Sequence, residues 1–323
     1  MGQADCVEQL CLFESVGVDV AELERRAGEL LIAGQSARAT VRTYGAAWRS
    51  FEGWCRRAGR CSLPATPETL RLYVADVGAR LKCGSVQTYT WGITERHKAA
   101  GYPSPIDESV RQVLAGLART KGSSETSKAA VTPEQLRAMV ATLDCKTMQG
   151  ARDAAILLLG FATGLRRANL ASLDLADVKW VEGRGVLVHV RREKNDQAGK
   201  GRRIAVHYGS RAGTCPVRAL ERWLNHRGRA AGALFTRVDR AGGGRIAAQS
   251  IASVVQDAAA AIGLDRSEYG AHSLRAGMVT AMSAHGAADS AIMARTGHRS
   301  AAMVRRYIRH RDLFAVNPLA KAL

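Results

Sequence analysis

The chain's 323 residues are 46% hydrophobic and 24% charged, which excludes a disordered or fibrous polypeptide and suffices for about two folded domains. Its 47 Lys and Arg outnumber 29 Asp and Glu, a net charge of +18, and a protein that basic usually meets a polyanion, nucleic acid first. The excess is uneven: 16 basic and 14 acidic residues stand up to position 125, 31 and 15 beyond it, so the need for positive charge lies in the second part.

The first part reads as helix throughout. A helix is expected around residues 20–33. Over 36–58, Val41, Tyr44, Trp48, Phe51 and Trp54 recur at steps of three and four, one face of a helix. Thr66-Pro67-Glu68 opens the next, with Thr66 as cap and Pro67 where its missing N–H costs nothing; Leu70, Tyr73, Val74, Val77 and Leu81 form its inner face. A third carries Val86, Tyr89 and Ile93 and ends near Gly101-Tyr102-Pro103. A fourth follows Asp107, with Val110, Val113, Leu114 and Leu117 inside. These short amphipathic helices predict a small bundle over 1–120. Trp48, Trp54 and Trp91 read as core rather than as base-stacking platforms. The opposite faces carry Arg42, Arg49, Arg56, Arg57 and Lys98, placed either to touch phosphates or simply to be solvated.

Residues 121–131 are small, polar and unpatterned, an interdomain linker. Thr132-Pro133-Glu134-Gln135 restarts helix with the spacing of a capping box. Residues 150–163 form a strongly apolar helix stopped by Gly164, and a short one covers 168–173. Val186–Val190 and Arg203–Val206 read as strands of a small antiparallel sheet. Helix returns at 215–227, 247–262, 273–285, 287–296 and 300–309. The whole is mainly α with a small antiparallel β-sheet, the second domain spanning 132–323.

Seven cysteines form no C-x-x-C pair and no Cys/His cluster has zinc spacing, so neither a disulfide framework nor a structural metal is expected and a reducing cytoplasm fits. The longest apolar run, Ala154–Leu165, is too short to span a bilayer. Asp5 and Glu8 replace the basic start of a signal peptide.

Single motifs decide little. H-x-x-R occurs at His189/Arg192, His226/Arg229 and His272/Arg275, where about one match is expected by chance. Order is more informative. Thr163-Gly164-Leu165-Arg166 follows a helix stop. A turn of the sheet carries Arg191-Arg192-Glu193-Lys194-Asn195-Asp196-Gln197. Then come Ala271-His272-Ser273-Leu274-Arg275, Thr296-Gly297-His298-Arg299-Ser300 and, nine residues after His298, Tyr307. This ordered set resembles the tyrosine recombinases of the phage-integrase family, and the likeness covers nearly the whole chain.

The resemblance implies a helical core-binding domain and a mixed α/β catalytic domain that close around duplex DNA, without a separate arm-site domain. It implies a site-specific recombinase that cleaves and rejoins strands through a 3′-phosphotyrosyl link, with no metal, ATP or other cofactor. Arg166 and Arg275 would clamp the scissile phosphate, since guanidinium forks bind phosphate bidentately and stay charged. Tyr307 would attack, His272 serve as base and His298 donate a hydrogen bond to the phosphate. Lys194, or Lys200 on the same turn, would protonate the leaving 5′-oxygen. One departure stands out: the Glu that often follows the first arginine by three residues is Asn169 here, which can hydrogen-bond but supplies no countercharge. Beyond Tyr307, Leu313, Phe314, Val316, Leu319 and Leu323 offer anchors for a tail that would pack on a neighbouring subunit of a homotetramer on synapsed DNA. Integration, excision, dimer resolution and transposition share this chemistry, with or without accessory proteins. A type IB topoisomerase-like nicking-closing enzyme would use nearly the same site, and a non-catalytic DNA-binding regulator would keep the fold alone.

Overall fold

A computed structural model of the chain describes residues 38–122, 128–191, 193, 201–238 and 243–307. The chain divides into two compact units, Met1–Glu125 and Thr126–Leu323.

In the first unit, α1 (Arg38–Arg57) packs on α3 (Cys83–Ala99), and α2 (Pro67–Arg80) on α4 (Glu108–Lys121). The caps are local. The Thr66 side chain accepts from the Thr69 N–H with Pro67 at the first helical position, and Asp107 accepts from Val110. Phe51, Leu70, Tyr73, Val86, Ile93 and Val110 form the core, and the Tyr73 ring lies edge-on to Phe51 and Trp54 at 5.0 and 5.6 Å between centroids. Trp48 and Trp54 are half-buried against this core. Two expectations are corrected. Val41 is 53% exposed, because it lies in the first turn of α1, where the apolar stripe runs out of cover. Trp91 is 52% exposed and not core; two residues from both Tyr89 and Ile93, it lies across α3 from them. Arg42, Arg49, Arg56, Arg57 and Lys98 are all exposed. The helix expected at 20–33 lies outside the described residues.

The second unit opens on a segment expected to be linker: Ala129 and Val131 donate to Glu268 and Ser273, and Val131 is fully buried. α5 (Pro133–Ala141) starts with the capping box of Thr132 and Gln135, both bonds formed. α6 (Met148–Thr163) is the centre, with Ile156, Leu157 and Leu159 sealed from solvent, each contributing about 1.5–3 kcal/mol by burial. After α7 (Arg167–Ser172) comes a three-stranded antiparallel sheet: β1 (Val178–Val181), β2 (Gly185–Val190) and β3 (Arg202–His207), in that order. The first strand was not foreseen, because four residues with a single fully buried side chain, Val178, carry too little alternation. Val188 sits opposite Val178 and Ile204, so Val186, Val188, Val190, Ile204 and Val206 form the inner face. The remaining helices are α8 (Pro216–Arg227), α9 (Ala248–Ala261), α10 (Ala271–Ala284), α11 (Asp289–Thr296) and α12 (Ala301–Arg305); α8 and α10 pack directly on α6. Among the described residues no helix is long and apolar enough to cross a membrane, and Cys55, Cys61, Cys83, Cys145 and Cys215 are free.

Candidate active site

Two left-handed glycines aim the site. α6 ends at Gly164 (φ 62°), whose N–H bonds to Gly160 O and whose missing Cβ leaves room for the Met278 methyl. The chain reverses there and presents Arg166 two residues on. α11 ends likewise at Gly297 (φ 70°), immediately before His298. The first turns of α10 supply His272 and, three residues later on the same side, Arg275.

Arg275 is 0% exposed and binds both glycine turns. Its Nη1 donates to Gly164 O at 2.7 Å, and its Nη2 to Thr296 O at 2.8 Å and to His298 Nε2 at 2.8 Å. A guanidinium only donates, so Nε2 of His298 must accept and the ring proton sits on Nδ1. Nδ1–H then donates to Thr296 Oγ1 (2.8 Å), whose own hydroxyl donates to Ile292 O (2.7 Å). In this network His298 buttresses Arg275. The donation to phosphate expected of it needs a proton on Nε2, which this arrangement does not leave there.

Two buried donors of this site remain open. Arg166 Nη1 and Arg275 Nε have no hydrogen-bond partner among the described residues. Arg166 is 19% exposed, and the carboxylate facing it, Glu193, stands 3.6 Å away, beyond hydrogen-bond reach. Buried guanidinium donors that lack acceptors cost free energy unless an anion arrives. Burial, and then the charge of Arg166, pull Arg275 down to about 10, still protonated at neutral pH.

The Tyr307 ring closes this side. It lies 5.0 Å from the His298 ring and 5.8 Å from Arg275 Cζ, on a cluster of Met278, Val279, Ile292 and Val304. Its carbonyl accepts from Thr280 Oγ1, which ties the end of the described chain to α10. Arg275, His298 and the Tyr307 ring therefore stand together, and Arg166 lies near enough for its charge to act on Arg275 and on both histidines. Lys194 and Lys200 lie outside the described residues.

His298 is pushed down from 6.5 to about 4 by burial and by Arg275 and Arg166; His272, although partly open to solvent, is lowered by desolvation and by Arg275, Arg167 and Arg166. Both rings are neutral at pH 7. The unfolded chain protonates its histidines near 6.5 and the folded chain lower, so His298 adds stability above 6.5 that is lost as pH falls toward 4, and His272 acts in the same direction. An NMR titration of the free protein is expected to find His298 unprotonated down to about 4; a midpoint near 6.5 would contradict the buried, arginine-flanked environment.

The other two H-x-x-R histidines, His189 on β2 and His226 at the end of α8, are exposed and outside this cluster. Four participants escaped the sequence reading. Glu193 is buried and forks onto Arg202 of β3, with Oε2 accepting from Nε (2.7 Å) and Oε1 from Nη2 (3.2 Å). Arg202 also donates to Arg295 O, and Arg295 donates to Ala162 O at the end of α6. Thr296, quoted only as part of a motif, sets the His298 tautomer. An acid set between Arg192 and Lys194 was the available signal for Glu193; nothing in the spacing marked Arg202 or Arg295. No three His, Cys, Asp or Glu side chains gather to hold a metal ion among the described residues.

Comparison with known proteins identifies the family. Residues 129–313 match the model of the phage integrase family. The chain is 33% identical over 287 residues to an integrase/recombinase xerD homolog of Selenomonas ruminantium, covering 87% of this chain and 84% of that one. It is 27% identical over 291 residues to the recombinase cre of Escherichia phage P1, covering 82% of each. Among solved structures, the Tn1549 transposon integrase in complex with transposon right end DNA superposes with a TM-score of 0.63 at 16% identity, over 89% of this chain and 94% of that one. A lambda integrase dimer bound to a COC' core site gives 0.60 at 16% identity, over 91% and 78%.

Proposed function

The chain belongs to the phage integrase family, and from that membership we infer that it is a site-specific DNA recombinase that breaks and rejoins strands through Tyr307. The observation that carries the reading is the pair of buried guanidinium nitrogens on Arg166 and Arg275 without a hydrogen-bond acceptor among the described residues, with Arg275 beside the Tyr307 ring. An anion with several oxygens satisfies both at once, and a backbone phosphate is such an anion.

Tyr307 Oη attacks phosphorus in line, its proton passing to neutral His272. The bond from phosphorus to the 5′-oxygen breaks, and that oxygen takes a proton from Lys194, or from Lys200. The product is a 3′-phosphotyrosyl ester and a free 5′-hydroxyl. Arg166 and Arg275 hold the charge that develops on the equatorial oxygens, each donor contributing about 10²–10³ in rate. His298 keeps Arg275 in register. The ester conserves the bond, so a 5′-hydroxyl from a second strand reverses the step without ATP or metal.

The partner is duplex DNA carrying a recombination site. The Tn1549 and lambda relatives were solved on DNA, which supports this assignment. Exposed Arg42, Arg49, Arg56, Arg57 and Lys98 contact phosphates, so binding weakens steeply with salt. The working assembly is a homotetramer on two synapsed sites in the cytoplasm.

The test is a nicked suicide duplex drawn from the DNA flanking the protein's own gene. Wild-type protein should form an SDS-resistant covalent complex, undiminished in EDTA. Specific binding with no adduct would overturn the enzymatic reading, and loss of the adduct in EDTA would overturn the metal-free step.

A further inference from the structure

Four guanidiniums (Arg166, Arg202, Arg275 and Arg295) and His298 crowd into one water-poor region. Their charges weigh on one another: Arg166 and Arg202 oppose protonation of Arg275 and His298, and Glu193 favours it for both. Glu193 is only 9% exposed, and both its oxygens are engaged. Arg202 grips it with two hydrogen bonds from one side, and Arg166 Nη1 faces Oε1 at 3.6 Å from the other. The backbone of the His298 turn comes in from a third direction, so close that a Cβ on Gly297 would lie 2.5 Å from Oε2. One carboxylate thus joins the segment after β2, the turn after α6 and the turn after α11. Arg166 has no acidic residue one helical turn on; Asn169, buried there on α7, is neutral.

We propose that Glu193 is a positioning residue for Arg166, holding its guanidinium toward the phosphate and supplying from the segment after β2 the countercharge that position 169 lacks. This rests on the recombinase reading. Glu193 does not touch the phosphate. At 3.6 Å it attracts Arg166 without consuming the Nη1 donor, which stays open for a substrate oxygen. Arg202 fixes the carboxylate and keeps it from closing that last distance.

Glu193→Gln keeps the shape and one acceptor but removes the charge, and its amide N–H groups would face donors. Its thermal midpoint should fall, since a buried pair with Arg202 is broken; at temperatures where it is folded and binds DNA near wild-type affinity, its single-turnover cleavage of the suicide duplex should fall about 10–100-fold, as for other residues that orient a reacting group's ligand. Asn169→Glu in the same chain returns a carboxylate three residues from Arg166 and should recover most of that loss; it cannot replace the Arg202 fork, so a purely structural role for Glu193 would show no rescue. If Glu193→Gln does not fold, Glu193→Asp with and without Asn169→Glu makes the same comparison. Equal cleavage by wild type and folded Glu193→Gln, or a deficit that Asn169→Glu leaves untouched, overturns the proposal alone. Absence of any adduct from wild type overturns the recombinase reading and this proposal with it.

Discussion

Tyr307→Phe is expected to bind its DNA site as tightly as wild type and to form no covalent adduct at all. The substitution removes one oxygen and leaves the ring, and the ring is what the protein packs. It rests on Met278, Val279, Ile292 and Val304 and stands against His298 and Arg275. Stability should therefore change by less than about 1 kcal/mol, in the range of substitutions that create neither a cavity nor a buried orphan. The chemistry has no such tolerance, because without Oη no ester to phosphorus can form. Gel-shift titration and SDS gels of the suicide reaction measure the two properties separately. An adduct that survives in the phenylalanine variant would identify a different nucleophile.

Arg275→Lys should slow single-turnover cleavage by about 10²–10³, with a much smaller effect on DNA binding. The arginine holds three acceptors on two turns, Gly164 O, Thr296 O and His298 Nε2, and still has Nε open. An ammonium is a single point with three donors; it cannot span those acceptors and also keep a donor aimed at a phosphate. Burial beside Arg166 already draws the arginine down to about 10. A lysine starts roughly two units lower and would be pushed toward neutrality at the same place. The overall affinity draws on many phosphate contacts along the duplex and loses only one of them. Cleavage by Arg275→Lys within about threefold of wild type would show that the clamp is not where the rate comes from.

Much of the architecture was legible because its signals are local. Thr66-Pro67, Thr132-Pro133 with Gln135, and Gly164 at the end of an apolar run each depend on neighbours within a turn, and the structure places helix boundaries at all three. β1 was missed because Val178–Val181 is shorter than the period that would announce it. Trp91 was misplaced by residue type: a large aromatic ring suggested core, and its angular position on α3 put it in solvent. The donor role expected of His298 meets a guanidinium arriving from α10 that makes Nε2 an acceptor.

By itself, the amino-acid order determined the local caps and turns and nominated the candidates for a phosphate site, Arg166, Arg275, Tyr307, His272 and His298, each set beside a helix end or turn encoded by adjacent residues. Only the folded arrangement decided how those charges are balanced: that the Glu193 carboxylate faces Arg166, that Arg202 holds it, and that Thr296 and Arg275 settle where the His298 proton sits. Caps and turns depend on groups a few bonds apart, so they are written along the chain. Compensation of buried charge acts through space, and residues far apart in order can supply it equally well once the core has brought them within a few ångströms.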